Sequence, residues 1–138
     1  MKYIFSIIIL GLFMSSCYKE TYWLDDNVDT DGSFYPQIQR VTPSNASPDE
    51  GESVTITVKY WSRDAVKQVD IYQSIDGAET SYSTNPYENH FDQESNVEVW
   101  PLTYVVPSGT SGKTITLRVA VVTEKDVEKS YTTKLTVN

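Results

Sequence analysis

The sequence predicts an all-β domain, a two-sheet antiparallel sandwich of about seven short strands. Three observations predict it. Apolar and polar residues alternate with period two in several segments, which places one face in a core and the other in solvent. Turn-forming residues punctuate those segments at regular spacing. No convincing amphipathic helix is present, and tyrosine and threonine are abundant, a bias that favours strands.

The elements follow in order. Ser33 to Thr42 reads as a first strand, interrupted by Pro36 and closed by Pro43. Proline inside a strand points to an edge. Ser44 to Glu52, with Pro48 and Gly51, reads as a turn. From Ser53 to Trp61, Val54, Ile56, Val58 and Tyr60 share one face, and Thr55, Thr57, Lys59 and Trp61 share the other. Val66 to Ile75 is the next strand, with Val69 and Ile71 inward. Asp76-Gly77 is a hairpin turn, since both central positions of a type I′ turn need positive φ. Glu79 to Ser83 is a short returning strand. Asn85 to Asn96 has no pattern, and a long patternless stretch in a compact domain is often functional. Val97 to Val106 resumes the alternation, with Pro101 implying a bulge, an edge or a later start at Leu102. Ser108 to Gly112 is a loop. Thr114 to Thr123 is the strongest strand, with Ile115, Leu117, Val119 and Val121 inward. Glu124 to Lys129 is a charged turn. Ser130 to Val137 closes the domain with Tyr131, Thr133, Leu135 and Val137 on one face.

The first residues are different in kind. Lys2 precedes an apolar run from Ile4 to Met14. Spanning a bilayer takes about 20 apolar residues, so this run suits the core of a secretory signal. Met14-Ser15-Ser16-Cys17 then resembles the lipobox of bacterial lipoproteins, in which a small residue precedes the acylated cysteine. That family usually has Leu where Met14 stands, a similar apolar shape. The resemblance implies that the chain is cut before Cys17 and that Cys17 carries diacylglycerol and a further acyl chain such as palmitate. The alternatives are an ordinary signal peptide with a free thiol, or an N-terminal anchor helix. Cys17 is the one cysteine, so the exported part has no internal disulfide. A lone cysteine where a lipobox needs it is explained, whereas a free thiol in an oxidising compartment is not. Residues 1–16 are therefore the expected signal peptide, 17–32 an acidic tether, and 33–138 the domain. Tyr18 stands where an inner-membrane retention Asp would be, which favours the outer membrane. Glu20, Asp25 and Asp26 resemble the surface-export tethers of Bacteroidetes lipoproteins, which favours display at the cell surface over a periplasm-facing anchor.

Removing the signal leaves roughly 120 residues, enough for one domain with its own core. The formal net charge of −8 repels phosphate backbones and anionic headgroups, so no nucleic-acid partner is expected and membrane attachment falls to the lipid. Within the domain, Gly51–Val58, Val66–Gly77 and Thr103–Thr123 resemble bacterial immunoglobulin-like and fibronectin-III-like domains. The resemblance implies an immunoglobulin-like sandwich. The chain departs from antibody-type domains in lacking the cysteine pair, and from fibronectin-III domains in having Leu117 where that family has a core Tyr.

Chemistry has few carriers. His90 is the one histidine, and no G-x-S-x-G turn exists to present a nucleophile. The carboxylates lie in turns, where they are normally solvated, and catalysis would need a pocket separating their pKa values. No enzyme activity and no cofactor is expected. Asn27, Asp29 and Asp31, with Gly32 sixth in the run, match the opening of a calcium loop, but the closing carboxylate position is Ile38. The plainer reading is a solvated acidic tether, with no metal. Aromatic residues are the better signal. Tyr22 and Trp23 lie in the tether, and Trp61 faces outward. Tyr82, Tyr87, His90, Phe91 and Trp100 gather in or beside the patternless stretch. Exposed aromatics with polar neighbours suit a protein interface or sugar stacking, and capping of the open sandwich ends is the structural alternative. The expected function is a non-catalytic interaction or accessory module of an envelope assembly, anchored by lipid, with an envelope protein as partner. The alternative is a glycan-binding lipoprotein of a polysaccharide-uptake system.

Overall fold

The structure, a computed structural model, describes residues 26–138. Cys17, Tyr22 and Trp23 lie outside the described residues. Eight strands form: β1 (Gln37–Pro43), β2 (Ser53–Trp61), β3 (Val66–Ile75), β4 (Ala78–Pro86), β5 (Phe91–Asp92), β6 (Val97–Val105), β7 (Thr114–Thr123) and β8 (Glu128–Thr136). They make two antiparallel four-stranded sheets, ordered β1-β2-β6-β5 and β4-β3-β7-β8. This order is compatible with an immunoglobulin-like domain.

The inward phases of β2, β6, β3 and β7 meet between the sheets. Val54, Ile56, Val58 and Tyr60, with Leu102 and Tyr104 beside them in the same sheet, meet Ile71, Ile115, Leu117 and Val119 of the other sheet in one buried cluster. Each fully buried Val, Leu or Ile contributes about 1.5–3 kcal/mol relative to exposure, so this cluster dominates stability. Asp76 and Gly77 join β3 to β4 with φ of 55° and 87°. Both are positive, which is what a type I′ turn requires.

Three elements differ from expectation. The first strand starts at Gln37, not Ser33, because residues 27–35 form their own turn, bridged at Val28↔Phe34. The patternless stretch is partly sheet: β4 runs on to Pro86, paired with Gln68, and β5 pairs Phe91 with Glu98. Backbone pairing to a neighbour overrides a polar sequence there. Leu135 on β8 and Val137 just beyond it are buried, but Tyr131 on β8 is exposed. Burial is confined to the half of this edge strand where the β1–β2 turn closes over it, the Thr136 N–H donating to the Ala46 carbonyl at 2.9 Å.

Pro101 sits inside β6, opposite Thr57. On the other side of β6, β5 reaches only Val97 and Glu98. The missing N–H of Pro101 thus falls on an open edge, the position where proline is tolerated.

Candidate functional site

The strand phase of β6 places a charge where the core should be. Glu98 lies in register with Tyr60, two residues before Trp100 and four before Leu102. Directly paired residues of antiparallel strands project to the same face. Tyr60, Trp100 and Leu102 are all buried, so the Glu98 carboxylate sits on the core-facing side at one end of the sandwich. A cleft of about 540 Å³ opens there, lined by Tyr60, Ser62, Arg63, Asp64, Tyr87, Glu98 and Glu124 among others.

Each group is held differently. The Tyr87 hydroxyl donates to Glu98 Oε1 at 2.9 Å, and the His90 N–H donates to Glu98 Oε2 at 2.8 Å. Burial, then the Glu98 carboxylate it is bonded to, raises the Tyr87 phenol above its ordinary pKa. Asp64 accepts the Phe34 N–H at 2.8 Å and lies 3.3 Å from Lys125 Nζ. The Phe34 bond and then Lys125 hold its carboxyl below the usual range. Ser62 Oγ donates to the Asp64 carbonyl at 2.7 Å, fixing the β2–β3 loop. Arg63 lays its guanidinium over the Phe34 ring, 4.3 Å from the centroid.

Tyr60 is the exception. It is 0% exposed, and among the described residues its hydroxyl has no hydrogen-bond partner. Burial pushes its pKa well up, with the nearby Glu98 charge adding to the effect.

The aromatic residues singled out by sequence do not form one surface. Tyr87 is 40% exposed and meets Trp100 edge-on, with centroids 6.0 Å apart. His90 lies against Trp100 at 5.2 Å. Among the described residues its Nε2 has no hydrogen-bond partner, though Glu88 Oε2 stands 3.8 Å away. Trp100 itself is 4% exposed, so it is a core residue that supports Tyr87 and His90. Tyr82 belongs elsewhere: its ring is 4.6 Å from Tyr104 and its hydroxyl accepts the Val105 N–H at 2.8 Å. Trp61, at the end of β2, is 46% exposed and Phe91, on β5, is 49% exposed. Tyr87 and His90 therefore converge on Glu98, while Tyr82, Trp61 and Phe91 stand apart from the cleft lining.

Sequence reasoning passed over Tyr60, Asp64, Glu98 and Glu124. One signal was available: Glu98 shares the alternation phase of Leu102 and Tyr104, and a carboxylate on a core phase needs a reason.

The calcium-like run uses its oxygens locally. Asn27 Oδ1 accepts from Gln37 Nε2 at 2.7 Å, Asp29 Oδ1 from the Thr30 N–H at 2.7 Å, and Asp31 Oδ1 from the Ser33 N–H at 2.8 Å. Among the described residues, no three His, Cys, Asp or Glu side chains gather as a metal site.

No family model and no curated protein matches the chain. Solved structures do. The chain is similar to part of a cycloisomaltooligosaccharide glucanotransferase from Paenibacillus sp., complexed with cycloisomaltoheptaose, at TM-score 0.52 and 20% identity, covering 75% of this chain and 14% of that one. It is also similar to the sporulation control protein Spo0M from Bacillus subtilis, at TM-score 0.51 and 12% identity, covering 75% of this chain and 49% of that one. The chain thus spans less than half the length of either. The likeness is one of fold: a β-sandwich.

Proposed function

We propose that this chain is a lipid-anchored, extracytoplasmic interaction module of a bacterial envelope assembly, non-catalytic, built on an immunoglobulin-like domain. The observation that carries this reading is the polar cleft at one end of an otherwise apolar sandwich. Loops at the end of a rigid sandwich are a usual place for recognition. The cleft presents hydroxyls and carboxylates to a partner.

Attachment favours the same end. β1 starts beside Trp61, and Asp64 of the cleft holds the Phe34 N–H, so the chain enters the domain next to the cleft. The nine peptide steps from Cys17 to Asp26 reach at most about 32 Å when fully extended. With acyl chains on Cys17, the cleft stays close to the membrane, and its partner is an outer-membrane or membrane-proximal envelope protein. Stable anchoring takes at least two acyl chains, which a lipoprotein carries.

Two measurements test this. Cys17→Ala is expected to release the chain from the envelope fraction, and firm retention would defeat the lipid anchor. A photo-crosslinking amino acid in place of Ala65, exposed in the cleft lining, is expected to trap an envelope protein in living cells. Absence of any adduct there, with adducts from a probe at the far β3–β4 hairpin, would move recognition to the other end.

A second reading, glycan binding within a polysaccharide-uptake system, draws on the half-exposed Tyr87 ring beside hydroxyl and carboxylate groups. Saturable binding of neutral oligosaccharides that Tyr87→Ala abolishes would favour it.

A further inference from the structure

We infer that the cleft receives a basic side chain, lysine or arginine, from the protein partner, seated between Glu98 and the hydroxyls of Tyr60 and Tyr87. The inference rests on the interaction-module reading above and names the chemistry of the contact.

Two independent observations point to it. The first is charge without a counterpart. Among the described residues, Glu98 and Glu124 have no cationic side chain within ion-pair distance, although both line the cleft. Arg63, the cation on the rim, is turned onto the Phe34 ring. Asp64 is already neutralised by Lys125. The donors on Glu98 are neutral ones, a phenol and a backbone N–H. A carboxylate oxygen has two acceptor sites, so each oxygen retains capacity for one more donor. The second observation is the Tyr60 hydroxyl, which is buried and unpartnered at the floor of the same cleft. A buried hydroxyl without a partner is destabilising, and an entering N–H that parts the side chains covering Tyr60 would supply one.

The occupant follows from these groups. An anion is excluded by the carboxylates. A neutral polyol would satisfy Tyr60 but would leave Glu98 without a countercharge. A guanidinium or ammonium group answers both: it makes charge-assisted bonds to Glu98, which are the stronger kind, and donates to the phenol oxygens. The half-exposed Tyr87 ring adds an aromatic wall of the sort cations favour. The net charge of −8 steers a basic segment toward the domain and raises its association rate at low salt.

The test uses the full chain in a neutral polyoxyethylene detergent, titrated with acetyl-Gly-Arg-Gly-amide, with its citrulline analogue, and with maltotriose. Tyrosine-ring and His90 resonances report the site. The arginine peptide is expected to shift the Tyr60 and Tyr87 signals saturably, and the citrulline peptide to leave them in place. Glu98→Gln should weaken the arginine peptide about tenfold, the loss typical of a charge-assisted bond. Tyr60→Phe keeps the ring and its packing, so it tests the site without loss of fold. It should weaken binding about threefold, the worth of one neutral hydrogen bond. Thermal unfolding of each variant confirms that it is folded. Equal binding of the arginine and citrulline peptides would overturn the inference, as would indifference to Glu98→Gln in a folded variant. Shifts caused by maltotriose alone would overturn it in favour of a saccharide. The two proposals fail separately. An envelope partner still crosslinked by the Glu98→Gln chain would leave the interaction module standing and sink the basic side chain. Arginine binding without any envelope partner would do the reverse.

Discussion

Each end of the sandwich holds one buried tyrosine, and the two hydroxyls are treated differently. At the end formed by the β1–β2 turn, the β3–β4 hairpin and the β6–β7 loop, Tyr104 donates to Gln73 Oε1 at 2.8 Å and packs on Tyr82. The surrounding backbone is tied in. The Gly51 N–H donates to the Val106 carbonyl and the Val106 N–H to Glu52, each at 2.9 Å, and Asn138 Nδ2 reaches the Ser47 carbonyl at 2.8 Å. Glu50 accepts the Ser111 N–H at 2.6 Å, and bonds of this kind from the β6–β7 loop hold its carboxyl below the usual range. At the opposite end, among the described residues, the Tyr60 hydroxyl has no hydrogen-bond partner and Glu98 has no cation within ion-pair distance. One end uses its polar groups to close itself. At the other, Tyr60 and Glu98 line a cleft. Buried polar groups are nearly always paired, so an unpaired one calls for a reason.

The largest effect that can break this contrast is a core truncation. Leu117, fully buried and in register with Gln73 toward the closed end, should cost roughly 2–5 kcal/mol on Leu117→Ala. Val66→Ala, at the half-buried rim of the cleft, should cost about 1 kcal/mol, the ordinary size for a partly exposed site. Urea denaturation measures both. Equal losses would mean that the two ends are packed alike and the cleft is part of the core.

The tyrosines give a sharper test because the expected signs are opposite. Tyr104→Phe removes a satisfied bond and should cost about 1 kcal/mol, while Tyr60→Phe removes an orphaned hydroxyl and should stabilise by about 1 kcal/mol. A loss on Tyr60→Phe comparable to that of Tyr104→Phe would show that Tyr60 is bonded in solution.

Alkaline pH extends the same comparison. Burial raises the Tyr104 phenol from 10.0 to about 12, and Tyr60 is pushed higher. Above pH 10 the unfolded chain releases phenolic protons that the folded chain keeps. The folded state then binds more protons, and stability falls as pH rises. The contribution is complete below pH 10 and is lost as pH climbs toward about 12. Each Tyr→Phe variant should flatten that slope, as read from chemical denaturation across the alkaline range. An unchanged slope in both would place the phenols in contact with solvent.

The smallest effect is a control. Lys134 on β8 is exposed, and Lys134→Ala should change stability by less than about 0.5 kcal/mol. A larger loss would show that the outer face of β8 is covered.

The sequence by itself determined what is local. Alternation marked β2 from Ser53 to Trp61, β3 from Val66 to Ile75 and β7 from Thr114 to Thr123 with the bounds observed. Period-two patterning is a property of one strand against one core, and positive φ at Asp76-Gly77 is a property of one turn. The carboxylate of Glu98 on a core phase was legible too, as an inconsistency without a meaning. Tertiary structure decided the rest. β4 reached Pro86, and β5 formed at all, because β3 and β6 offered backbone partners beside a polar stretch. Trp100 went into the core and Tyr87 did not, although both lie in or beside the same irregular region. Tyr60 and Tyr104 carry the same side chain on inward phases, yet only one found an acceptor. Which strand lies opposite, and where the facing sheet stops, depends on contacts between residues far apart in the chain. A pattern read along one strand does not contain that information.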